Sequence, residues 1–130
     1  MASVDSRTIV REFLDAVEAL DLGRLGACFT AEARYANVPN PPATGPAAIR
    51  SMFEPILGRA ERVRWDLVGE VYLPDRALLE RVDRFWIDGT EYAIECNGVF
   101  VVDTAAGRIA EVRDYVDLAT WRQRLATAHL

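Results

Sequence analysis

At Arg62 the hydrophobic period of this chain changes from 3.6 to 2, so an all-helical or an all-strand fold would suit only half of it. Before that point the apolar residues recur mostly at helical spacing. Val10, Phe13, Leu14, Val17 and Leu20 predict an amphipathic helix over about residues 5–20, and Leu22, Leu25 and Phe29 predict a short second helix after Asp21. Ala33 to Val38 reads as a strand. The proline-rich run from Pro39 to Pro46 cannot continue it and reads as a loop at its end. Pro46 suits the first turn of a further helix whose apolar stripe is Ile49, Met52, Phe53, Ile56 and Leu57, with Gly58 as its stop.

After Arg62 the pattern alternates. Val63, Trp65, Leu67, Val71 and Leu73 predict one face of a strand ending at Pro74. A second strand covers about 76–87 and turns at Asp88-Gly89, a hairpin signal. A third covers 91–102, with Tyr92, Ile94, Cys96, Phe100 and Val102 on one face, and a fourth covers 108–116. Asp117 is placed to cap a last helix whose buried side holds Leu118, Trp121 and Leu125. This order predicts an α+β fold in which a strongly curved, mostly antiparallel sheet wraps around N-terminal helices. The 130 residues show no repeat or linker and are expected to form one domain, 1–130, long enough to bury roughly two thirds of their unfolded surface.

Charge and residue inventory narrow the chemistry. A net charge of −5 with scattered basic residues argues against nucleic acid or an anionic membrane as partner. No run approaches the roughly 20 apolar residues of a membrane span, and Met1 to Phe13 lacks the apolar stretch of a signal peptide, so a cytoplasmic protein with reduced Cys28 and Cys96 is expected. The one histidine, His129, stands at the penultimate position, which argues against Ser-His-Asp or Cys-His catalysis and against His-rich metal sites. Acid–base groups must then come from carboxylates and tyrosine.

One carboxylate is out of place. Ala110, Val112, Asp114 and Val116 share a face of the last strand, so Asp114 sits among apolar neighbours. Burying an isolated charge costs several kcal/mol, so Asp114 is protonated, paired or beside water. On the second strand Leu79, Arg81, Asp83 and Phe85 share one face and Glu80, Val82, Arg84 and Trp86 the other; parity leaves open which is buried. If the first is inside, an arginine bridging Asp83 and Asp114 is sterically reasonable. Solvated Arg81 and Asp83 are the plainer alternative. Tyr35 and Asn37 share a face of the first strand, a pattern that by itself says little.

Taken together, Tyr35-Ala36-Asn37-Val38-Pro39, Glu80-Arg81-Val82-Asp83, Gly98-Val99-Phe100 and Arg113-Asp114-Tyr115-Val116-Asp117 resemble the limonene epoxide hydrolase family, in order and on matching strands. The resemblance implies a conical fold like that of ketosteroid isomerase, a deep apolar pocket on the concave face, a homodimer, and neither cofactor nor metal. It implies one-step addition of water to a small apolar or terpene-like epoxide, giving a vicinal diol without a covalent intermediate. By position, Asp114, Asn37 and Tyr35 would hold the attacking water, with Asp114 as general base. Asp83 would be the general acid, and Arg81 would bridge both carboxylates. Ile56, Phe85, Cys96, Val116 and Trp121 are expected to form the apolar wall around the substrate. The family pattern places a tryptophan before Arg113-Asp114-Tyr115, where this chain has Val112, which bears on substrate choice. Two other readings stand beside this one. The first is an isomerase or polyketide cyclase using Asp114 to abstract a proton. The second is a non-catalytic ligand-binding dimer module in which the charges are structural.

Overall fold

The computed structural model describes residues 4–130; the first three positions of the Met1–Phe13 segment read above lie outside the described residues. Helix α1 spans Ser6–Glu18 and α2 spans Leu22–Ala27, each opened by an aspartate, Asp5 or Asp21, whose side chain accepts a first-turn backbone N–H. Strand β1 (Phe29–Val38) and the two-residue β2 (Ala43–Thr44) precede α3 (Pro46–Leu57). Four long strands follow, β3 (Arg62–Tyr72), β4 (Arg76–Ile87), β5 (Thr90–Asp103) and β6 (Arg108–Val116), and then α4 (Leu118–Leu125). The sheet order is β2-β1-β6-β5-β4-β3, antiparallel except where β1 lies parallel to β6. The sheet curves over α1 and α3, and their apolar faces share one core with it. Around Phe13 the rings of Phe29, Tyr35, Phe53, Trp65 and Phe100 lie at centroid distances of 5.5–6.1 Å, contacts each worth about 0.5–1.5 kcal/mol beyond the area buried.

Several elements differ from the expectation. The first helix ends at Glu18, and Leu20 takes a left-handed φ of 58°. Phe29 opens β1 rather than closing α2, because β1 begins its pairing with β6 at Phe29–Ile109. The proline-rich loop contains β2, whose Thr44 pairs with Arg34. Val71 and Leu73 are 53% and 44% exposed instead of buried with Val63 and Trp65, since the register slips between Leu67 and Gly69 and reverses which face later residues meet. A second slip between Val101 and Val102 buries Ile109 in place of Ala110. Helix α4 buries none of its residues; Leu118, Trp121 and Leu125 are half-buried. The turn at Asp88-Gly89 is as expected, with φ of 50° and 78°, both positive as a tight hairpin requires.

Candidate active site

The face of β4 that parity left open is settled by burial: Leu79, Arg81, Asp83 and Phe85 point inward, and Arg81 is only 1% exposed. Asp83 at 6% and Asp114 at 3% are buried with it. Arg81 Nε donates to Asp83 Oδ1 at 2.6 Å and Nη2 to Asp83 Oδ2 at 3.1 Å. Toward β6, Nη1 donates to Asp114 Oδ1 at 3.1 Å and Nη2 to Asp114 Oδ2 at 2.8 Å. The Tyr35 hydroxyl donates to Asp114 Oδ2 in a short hydrogen bond. Asn37 stands directly beside Asp114 in the parallel β1–β6 register.

Two carboxylates against one guanidinium leave an excess of negative charge among buried groups. Burial pushes the Asp83 carboxyl up to about 6, against the opposing pull of Arg81; the charge of Asp114 adds to the rise. Burial by itself would favour neutral Arg81, but Asp114 and Asp83 outweigh it and hold the guanidinium above the ordinary arginine range. Burial, and then the charge of Asp114, raise the Tyr35 hydroxyl well above the usual tyrosine value, so it stays a donor. Burial likewise raises the Cys96 thiol, so Cys96 has no thiolate character and is a poor nucleophile.

A cavity of about 210 Å³ opens onto this unit. The five residues expected on its wall, Ile56, Phe85, Cys96, Val116 and Trp121, all line it, as do Tyr35, Asn37, Asp83 and Asp114. Arg81 does not; it lies behind the two carboxylates. Sequence reasoning missed Met52 and Phe53 of α3, Leu118 and Leu125 of α4, and Trp65 on the wall. Trp65 is the most consequential omission. It faces Asp83 in the β3–β4 register, and its ring lies 4.3 Å from the Arg81 guanidinium carbon. The aromatic neighbour of the charged unit thus comes from β3, while Val112, at the position before Arg113, is fully buried core. Only the cross-strand register could have revealed this. Trp65 Nε1 is the one buried side-chain nitrogen without a hydrogen bond among the described residues, a cost of about 1–3 kcal/mol set against packing on Phe13, Phe53 and Phe85. Among the described residues no group of three or more His, Cys, Asp or Glu side chains is disposed to hold a metal ion.

Fold and site together define an α+β protein whose curved sheet carries a buried charged unit facing a cavity. Residues 10–112 match the SnoaL-like domain model, and the chain belongs to that family. It is similar to an LEH-like epoxide hydrolase from M. tuberculosis, with 25% identity and a TM-score of 0.75 over 93% of this chain and 89% of that one. A protein from Shewanella denitrificans OS-217, described as a SnoaL-like polyketide cyclase, shares 11% identity and a TM-score of 0.81 over 93% and 96% of the two chains. A Catenulispora acidiphila protein with a ketosteroid isomerase-like fold, in complex with trimethylamine, shares 22% identity and a TM-score of 0.74 over 94% and 92%. The last two likenesses are of fold alone. No helix among the described residues is long and apolar enough to cross a membrane.

Proposed function

We propose that this protein is an epoxide hydrolase that adds water to a small apolar epoxide in one step, giving a vicinal diol. The observation that carries the reading is the Asp83–Arg81–Asp114 unit at the base of an apolar cavity, with Tyr35 bonded to Asp114. Asp114 is the general base, and the water sits where its carboxylate and the Asn37 amide meet the cavity. Tyr35 holds the Asp114 carboxylate in place. Asp83, with its carboxyl raised to about 6, gives its proton to the epoxide oxygen as the C–O bond breaks. Arg81 keeps the charge on both carboxylates tolerable throughout. The similarity to an LEH-like epoxide hydrolase supports the same chemistry.

Proton abstraction beside a carbonyl, as in an isomerase or cyclase, needs a single carboxylate base. Enolate chemistry also returns a proton but does not need two carboxylates tied by one guanidinium. Hydration uses one carboxylate to take a proton from water and the other to give one to the epoxide oxygen, so the tied pair favours hydration. The cavity of about 210 Å³ is somewhat larger than the roughly 150 Å³ that accommodates benzene, so a single substituted ring is the size that fits.

The deciding experiment is diol formation from limonene, cyclohexene and styrene oxides by wild type and Asp114→Asn, both shown to be folded. Turnover by wild type with a loss of about 10²–10⁴-fold in the variant establishes reaction and base together. Absence of diol from every epoxide, with turnover of an enone or steroid, would transfer the site to the isomerase reading.

A further inference from the structure

Arg81 belongs to β4 and Asp114 to β6, and β5 runs between them. A side chain that joins them must cross β5 on its inner face, where the pleat would ordinarily raise a Cβ. At the crossing stands Gly98, paired with Leu79 on one side and Asp114 on the other. A Cβ on Gly98 would lie 2.5 Å from Arg81 Nη1, 2.8 Å from Asp114 Oδ1 and 2.9 Å from Phe100 Cε2. Real carbon atoms do not approach that closely, so something would have to move. The guanidinium cannot yield freely: its nitrogens hold Asp83 and Asp114 by four hydrogen bonds, and the Trp65 ring lies against it at 4.3 Å.

We propose that Gly98 is the positioning residue of the site: its bare Cα is the gap through which Arg81 reaches Asp114, with Trp65 packed on the guanidinium as it crosses. Glycine inside a strand normally weakens it, because it has no side chain to pack and loses most freedom on folding. Alanine should then stabilise the strand at an ordinary position, and at Gly98 the sign reverses. Gly69 supplies the contrast. It is also a strand glycine, but a Cβ there would meet nothing closer than Glu80 Oε1 at 3.5 Å.

The catalytic part of this inference rests on the hydrolase reading; the coupling to Arg81 does not, and the experiment separates them. Gly98→Ala, Gly69→Ala, Arg81→Lys and the double variant Arg81→Lys/Gly98→Ala are compared by urea denaturation, and the carboxyl titration of Asp83 is followed by carbon NMR. Gly69→Ala should unfold at or above the wild-type midpoint and Gly98→Ala below it, with the Asp83 titration displaced. Lysine has no Nη1, so adding Gly98→Ala to Arg81→Lys should reduce the folding equilibrium constant at least about tenfold less than adding it to wild type. If Gly98→Ala fails to fold alone, the double variant against Arg81→Lys still answers: a protein that also fails to fold, or a penalty as large as the collapse in wild type, overturns the proposal. An unchanged midpoint and Asp83 titration in Gly98→Ala overturn it as well. Where an epoxide is turned over, Gly98→Ala should lower kcat roughly tenfold or more with little change in KM. Coupling present with no epoxide turned over by wild type retains the gap and rejects the hydrolase.

Discussion

Asp83 and Asp114 share a guanidinium nitrogen: Arg81 Nη2 donates to Oδ2 of each, at 3.1 and 2.8 Å. The two carboxylates are thereby held beside each other by the group that cancels their repulsion. Removing that group should cost far more than its own contacts. Arg81→Met leaves two buried carboxylates facing an apolar side chain, a change expected to lower stability by about 3–5 kcal/mol. Urea denaturation at pH 7 measures it, and a loss under 1 kcal/mol would mean that the unit is solvated in solution.

The pH dependence of turnover follows from the same geometry. The reaction needs Asp114 ionised and Asp83 protonated, so kcat/KM against pH should be bell-shaped. Its alkaline limb should fall near 6, where the Asp83 carboxyl loses its proton in the free protein. A profile that only rises toward alkaline pH would show that no carboxylic acid takes part.

Stability should carry the mark of the same proton. Asp83 has a folded-state pKa of about 6 against about 3.9 for a free aspartate. The folded state therefore holds this proton more tightly than the unfolded chain does. The resulting stabilisation is complete below about pH 4 and is lost as pH rises to about 6, by on the order of 3 kcal/mol. Asp83→Asn removes the group, so the stability of wild type minus that of the variant should fall across this window, as read from urea midpoints at several pH values.

Why some of this was legible before the structure, and some not, comes down to how far each signal reaches along the chain. The change of period at Arg62 is local, and the four long strands follow it closely. The odd placement of Asp114 among Ala110, Val112 and Val116 is also local, and it led directly to a carboxylate that is buried. The face of β4 was not decidable from its own residues, because Leu79 and Phe85 balance Val82 and Trp86; the rest of the sheet decides it. Val71 and Leu73 were misplaced because a register slip at Leu67–Gly69 leaves no mark in the alternation itself. Phe29 was misassigned because its role depends on Ile109, far along the chain. Trp65 and Gly98 touch Arg81 only across strands, so their importance is a property of register.

Tyr35 should never ionise while the protein is folded. Its hydroxyl is buried and donates to a carboxylate, and both burial and that charge hold it well above the ordinary tyrosine range. In a spectrophotometric titration at alkaline pH, Tyr35→Phe should remove absorbance only from the phase that coincides with unfolding. The same substitution keeps the ring packing on Phe13 and Phe53 but deprives Asp114 of a donor, so a stability loss of about 1.5–3 kcal/mol is expected, the size typical of a hydrogen bond to a charged group.

The helix at the end of the chain should govern which substrates enter. Leu118, Trp121 and Leu125 line the cavity, yet α4 buries none of its residues. Trp121 rests on Phe85 with ring centroids 5.8 Å apart, so it covers the cavity more than it supports the core. Truncating a fully buried tryptophan costs about 3–5 kcal/mol; Trp121→Ala should cost clearly less. Its effect belongs in selectivity, because each apolar group lost from a pocket wall changes discrimination by roughly 1–3 kcal/mol. Wild type should favour single-ring epoxides, and the variant should lose kcat/KM on cyclohexene oxide while gaining on a two-ring analogue. Competition between the two epoxides in one reaction measures the ratio directly, and an unchanged ratio would place the substrate away from α4.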